Sequence, residues 1–412
     1  LYRYATPHFY TVNDFPQNQR ELRPQSLYSS PWEGGWWRIG DAVDYMLTAS
    51  VSVLDVAAKY KNDLLYNRYQ AARDVVAQFK AGPPYGFFIE QDQRDPVAAV
   101  EMLRRLAYNG IGVKRLSSEV TLDGVSHPAG TWVIPMDQPN ANFVRQLFAV
   151  QDYPDLREYP EGPPEQPYDV SGWTLPYLFG VRVIEARTPL DDAVRGAMED
   201  LSSEPLGWLA EGDAQSWDSP PGVGFDSHPV ARGIVPPAGA ASGGGGSLIL
   251  DPAQNNSYKA LAEAWRRGGS ARFQSGAAGS DGQGGSSGRW IVSGLGGGVQ
   301  NELVADYALR ASRGGSAGTP VGQPRIGLYR PWSASMDEGW SRWLMEMYGI
   351  AHTNLYNADV RAGDLKSRYD VIVLSDMRAG QIINGSAPGT VPPRYAGGIG
   401  PEGLREIDAF VR

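Results

Sequence analysis

The sequence predicts an α/β protein: a helical N-terminal segment, then Rossmann-like units with mostly parallel sheets, the last of them unfinished. Three observations predict it. Apolar residues recur at steps of three and four between residues 38 and 60. From Tyr85 onward, short apolar runs alternate with stretches of helical period. Helix-opening pairs follow those runs, as in Asp95-Pro96 and Asp251-Pro252, where Asp accepts a free amide and Pro has none to leave unpaired.

In chain order, residues 1–37 are rich in aromatic, proline and turn residues, with Trp32, Trp36 and Trp37 around Gly34-Gly35. They read either as a platform for a sugar or peptide or as an aromatic plug packed on a neighbour. Helices are expected over 38–60, through Ile39, Val43, Met46, Val53 and Leu54, and over 63–79. Gly82-Pro83-Pro84 marks a domain boundary. Phe87-Phe88-Ile89, 113–116 and 131–135 then read as strands, with a helix opened by Asp95 and ended near Gly110. Residues 151–246 are expected to be mostly loop, apart from a helix near 190–201. A strand at 247–250, a helix to Arg267, a Gly/Ser-rich loop at 268–288, a strand at 289–293 and a helix at 302–311 follow, then a linker at 312–323. Beyond it, Arg325 to Tyr329, Thr353 to Tyr356 and Val371 to Leu374 form a strand series. Ser335 and Glu338 suit a capping box, and a last helix begins at Pro401. The domains expected are 1–82, 83–320 and 321–412. The missing initiator Met and the unfinished last unit give the expectation of a piece of a larger protein, cut at both ends.

Composition excludes several function classes. The net charge of −9 argues against a general nucleic-acid binder, which needs a clustered positive face. With no cysteine, a thiol nucleophile, a disulfide and a thiolate metal site are impossible. The four histidines, His8, His127, His228 and His352, have no partner at metal-motif spacing, so no metal site is expected in the chain. No apolar run reaches membrane-spanning length, so no membrane span is expected.

Ligands of open α/β sheets lie beyond the carboxyl ends of the strands. Two clusters fall there. Glu90, Asp92 and Arg94 follow Phe87-Phe88-Ile89, and paired carboxylates could do acid–base work. Arg330, with Asp376 and Arg378 after the later strands, could grip a carboxylate or phosphate in bidentate fashion. Solvated loop charge is the plainer account of both. Asp226-Ser227-His228 offers the residue types of a hydrolase triad, but triad partners come from separate segments, so it reads as a turn. The glycine runs at 243–246 and 294–298 lack the spacing of a phosphate loop.

Several strings resemble large bacterial proteins of the zinc carboxypeptidase kind. They are Pro-Trp-x-Gly-Gly-Trp-Trp-Arg at 31–38, Asp-Gln-x-Asp-Pro-x-Ala-Ala at 92–99, and Pro-Ala-Gly-Thr-Trp-Val-Ile-Pro at 128–135. Pro-Tyr-Asp-Val-Ser-Gly-Trp-Thr-Leu-Pro at 167–176 and Arg-Ile-Gly-Leu-Tyr-Arg-Pro-Trp at 325–332 add to them. The resemblance implies a secreted or periplasmic hydrolase whose zinc site and catalytic Glu lie in a peptidase domain N-terminal to this chain. No residue here matches a zinc ligand or the general base. It also implies that 324–412 is the first half of a flavodoxin-like, class I glutamine amidotransferase-like domain, although the nucleophilic Cys of such domains has no counterpart. The expected function is therefore an accessory or substrate-binding portion of that hydrolase, with the peptidase domain as partner. The alternatives are a cell-wall peptide or glycan module built on 28–37 and 153–177, or an independent hydrolase with an unrecognised site.

Overall fold

Residues 6–26, 28–150, 154–157, 159–165, 174–201, 228–276 and 288–412 are described by the structure, a computed structural model. It divides into two units, Leu1–Asp74 and Val75–Arg412. In the first, strands β1 (His8–Tyr10) and β2 (Gly35–Trp37) pair antiparallel, with Phe9 opposite Trp36. Gly34 makes this possible. Its φ of +96° suits glycine, and a Cβ there would come 2.7 Å from the Tyr10 carbonyl. Helix α1 (Ile39–Lys59) opens where the Arg38 amide donates to Asp41 Oδ2 at 2.6 Å. The amphipathic period forms the expected helix, yet none of its residues is buried: Ile39, Met46 and Leu54 are 68%, 70% and 68% exposed. Helix α2 (Lys61–Ala81) follows directly.

The second unit starts with β3 (Gly86–Ile89), α3 (Pro96–Tyr108), β4 (Lys114–Leu116), β5 (Val120–Leu122), β6 (Val125–His127), β7 (Trp132–Pro135) and α4 (Ala141–Phe148). Next come α5 (Leu175–Phe179), β8 (Ile184–Ala186), α6 (Asp192–Ala197) and β9 (Met198–Asp200). Asp95 caps α3 as its sequence suggests, accepting from the Val97 amide at 3.1 Å. The sheet order is β8-β3-β7-β4-β9, and every pair is antiparallel. This corrects the parallel expectation, and the reason is physical. Continuous apolar runs mark strands covered on both faces, which is usual in parallel sheets. Here an antiparallel sheet is covered on both faces. Phe87, Ile89, Trp132 and Ile134 enter one core, while Phe88 and Val133 enter another.

Helix α7 (Pro229–Gly233) leads to β10 (Ala240–Gly243), β11 (Ser247–Leu250), α8 (Asn256–Arg266), β12 (Ser270–Ser275), β13 (Gly288–Ser293), α9 (Gly297–Asp306), β14 (Arg310–Gly314) and β15 (Thr319–Val321). Their sheet runs β10-β14-β11-β13-β12-β15, and only β10 and β14 pair in parallel. The helix expected at 302–311 lies earlier, and the expected linker holds β14 and β15. The glycines at 294–298 hid the helix start, and Ala-Ser-Arg-Gly hid an inner strand. Asp251 likewise does not open the helix: it accepts from the Ala253 amide at 2.8 Å in a turn, and α8 begins at Asn256.

The last part holds β16 (Ile326–Tyr329), α10 (Met336–Met347), β17 (His352–Leu355), α11 (Asn357–Arg361), α12 (Leu365–Arg368), β18 (Val371–Val373), α13 (Ala379–Asn384) and α14 (Gly400–Val411). Its sheet, β17-β16-β18, is parallel throughout. Ser335 Oγ accepts from the Glu338 amide at 3.2 Å, but the Glu338 carboxylate pairs with Arg342 instead of completing the box.

Candidate functional site

Chain direction through the first sheet builds one charged cleft. Strand β3 delivers Glu90, Asp92 and Arg94 to its carboxyl end, as its sequence position suggests. Arg182 Nη2 donates to Glu90 Oε2 there. Glu90 Oε1 lies 3.8 Å from Nδ1 of His127, whose ring is 1% exposed and stacks on Phe88 at 4.1 Å. The buried Gln93 binds the cleft wall together: its Nε2 donates to the Glu90 and Arg182 carbonyls at 2.8 and 3.1 Å, and its Oε1 accepts from the Arg182 amide at 2.8 Å. Across the gap stands Arg310, the first residue of β14, paired with Asp92 and donating to the carbonyls of Gln93 and Arg94. The cleft measures about 810 Å³ and is lined by Asp92, Gln93, Arg94, Tyr177, Arg182 and Arg310 among others. Sequence reading placed Glu90, Asp92 and Arg94 here but missed Arg182 and Arg310. They stand 92 residues from Glu90 and 218 from Asp92, and nothing local marks either.

Behind Glu90, burial pushes the His127 imidazole below its ordinary value of 6.5, with Glu90 and Asp123 opposing that shift. The unfolded chain takes up this proton near its ordinary value; the folded chain takes it up only at lower pH. Below about 6.5 the unfolded state holds more protons, so stability falls as pH drops through that window. Thermal unfolding from pH 8 to pH 5.5 is expected to show this loss, and His127→Phe, which keeps the ring stack, is expected to flatten it. Parallel pH curves for the two proteins would refute the assignment.

The second predicted cluster is not assembled. The Arg330 guanidinium lies 5.9 Å from the centre of the Tyr356 ring, whose face is stacked on Trp332 at 4.6 Å. Asp376 and Arg378 are exposed, and the Arg378 amide donates to Gln381 Oε1 at the start of α13. Among the described residues, no hydrogen bond or ion pair joins Arg330, Asp376 and Arg378. His228 caps α7, its Nδ1 accepting from the Ala231 amide at 3.2 Å, while Asp226 and Ser227 lie outside the described residues. Among the described residues, no group of three or more His, Asp or Glu side chains is placed to hold a metal ion. No helix described is long and apolar enough to cross a membrane. The glycine run at 243–246 serves close packing: a Cβ on Gly245, with φ +138°, would meet the Gly314 carbonyl at 2.5 Å.

The first unit contains a second cavity, of about 390 Å³. Phe15, Leu22, Tyr28, Trp32, Trp37 and Tyr45 line it, with Asn18, Gln19, Glu21, Arg23, Gln25 and Ser30 as polar groups. Trp32 is the hub: its ring centre lies 5.7, 5.8 and 5.4 Å from those of Tyr10, Phe15 and Trp37. Of the aromatic segment 153–177, Tyr153, Tyr168 and Trp173 lie outside the described residues, and Tyr177 is 73% exposed beside the charged cleft. No family model, no curated protein and no solved structure matches this chain.

Proposed function

We propose that this chain is the accessory, substrate-binding portion of a zinc carboxypeptidase-like hydrolase, secreted or periplasmic, with zinc held by a separate peptidase domain. The observation that carries the reading is the aromatic cavity around Trp32. Mostly apolar lining with a few convergent amides is the usual build of a small-ligand site. Trp32 and Trp37 belong to the string at 31–38 that resembles this group, so resemblance and cavity fall on the same residues. The substrate class this favours is a peptide or glycan of the cell wall.

A free-standing binding module is the second reading, and the same cavity would serve it. Helix α1 favours the accessory role. A solvent-open row of Ile39, Val43, Met46, Leu47 and Leu54 is costly in water and suits a surface that another domain covers. Residues 324–412 are proposed as part of a flavodoxin-like, amidotransferase-like domain. In support, the order β17-β16-β18 is the 2-1-3 start of a flavodoxin-like sheet.

Trp32→Ala is expected to weaken binding of a muropeptide or a chitin oligosaccharide by about 2 kcal/mol, roughly thirtyfold in Kd. Tryptophan fluorescence titration of the whole chain measures it, with Tyr28→Ala as a milder variant. If neither ligand moves the fluorescence of the parent chain, the substrate-binding reading is lost.

A further inference from the structure

We propose that the cleft where the outlet of β3 meets β14 binds a small ligand through an oxyanion, a carboxylate or a phosphate ester, gripped by Arg94, Arg182 and Arg310. The site lies in the second unit and is independent of the aromatic cavity, so either can fail alone.

The first observation is charge. The chain as a whole carries −9, yet this lining holds three guanidiniums against Asp92, and with Glu90 paired to Arg182 behind it one positive charge remains in excess. That local reversal concentrates anions in a cleft of about 810 Å³, within the size range of small-ligand sites. The second observation is preorganisation. Arg182 is clamped at its amide and carbonyl by Gln93, and Glu90 holds its guanidinium from one side. Arg310 is clamped likewise: Gln254 Nε2 donates to its carbonyl at 2.8 Å, and its amide donates to Gln254 Oε1 at 2.8 Å.

A guanidinium has five donors, and these partners use only some of them. The Arg182 and Arg310 side chains remain 53% and 44% exposed. Among the described residues Arg94 forms no ion pair, and its side chain is exposed at the cleft. A planar fork matches carboxylate and phosphate geometry in pairs of bonds. Tyr177 also lines the cleft and is 73% exposed, so its ring is accessible to the body of such a ligand.

Isothermal titration of the whole chain tests this with three probes: N-acetyl-alanyl-alanine, its C-terminal amide, and glucose 6-phosphate. At least one of the two anions is expected to bind, more weakly as salt rises, while the uncharged amide does not. Binding of the peptide acid alone identifies a peptide terminus as the source; binding of the phosphate alone identifies a phosphate ester; both together establish an oxyanion site. Arg94→Gln, an exposed change, is expected to weaken binding at least about tenfold. Arg182→Lys keeps the charge opposite Glu90 but removes the fork, and is expected to weaken it as well. The proposal is overturned if neither anion binds at millimolar concentration, if the amide binds as well as the acid, or if Arg94→Gln binds like the parent.

Discussion

Trp132→Ala is expected to lower the free energy of unfolding by about 3–5 kcal/mol, the usual cost of emptying a buried large aromatic site. Trp132 is 1% exposed and sits in β7, the centre of the five-stranded sheet. Its Cα is opposite Ile89, the last residue of β3, and its side chain belongs to the core that also takes Phe87, Ile89, Leu103 and Ile134. The hole would fall beside Ile89, the strand end that precedes Glu90. Binding at the charged cleft is therefore expected to suffer along with stability. Urea unfolding followed by circular dichroism measures the first effect, and Trp36→Ala provides the contrast. Trp36 is 53% exposed, so its loss should cost less than about 1 kcal/mol. Equal costs at the two positions would show that β7 is not the support inferred here.

The strand ends and the first candidate cluster were legible because their causes are local. Phe87-Phe88-Ile89 and Trp132-Val133-Ile134 announce burial by composition, and Asp95 announces a helix by its capping chemistry. Strand direction was not legible, because a run buried on both faces looks the same in either orientation. The strands at 310–314 and 319–321 were missed for a related reason. The first is an inner strand rich in Ala, Ser and Gly, which takes its stability from its neighbours and carries little period of its own; the second is an edge strand whose Pro320 reads as a break. The charged cleft was half legible for the same reason at longer range. Glu90, Asp92 and Arg94 share one loop, whereas Arg182 and Arg310 reach it only through the pairing of distant strands. The second cluster shows the converse: Arg330, Asp376 and Arg378 share strand-end positions, yet among the described residues no hydrogen bond or ion pair joins them.

Arg310→Met is the variant that separates the cleft from the cores around it, and it is expected to cost about 1–2 kcal/mol, since the side chain is 44% exposed and water replaces part of what is lost. The pair with Asp92 contributes little of this, because Asp92 is 87% exposed and water screens it. The larger part comes from the guanidinium bonds to the carbonyls of Gln93 and Arg94, which Met cannot replace. Gln93 is 3% exposed, so that wall has limited access to water as a substitute partner. Met retains the length and apolar stem of Arg, so lost packing is a small part of the change. Hydrogen exchange should speed up at 90–95 and 310–314 while the centres of β7 and β13 stay protected. Arg310→Lys distinguishes charge from geometry: a single ammonium cannot span Asp92 and both carbonyls, so it should recover only a fraction of the loss. If Arg310→Lys restores full stability and full anion binding, general positive charge holds the two sheets together, and the fork geometry assigned to Arg310 is wrong.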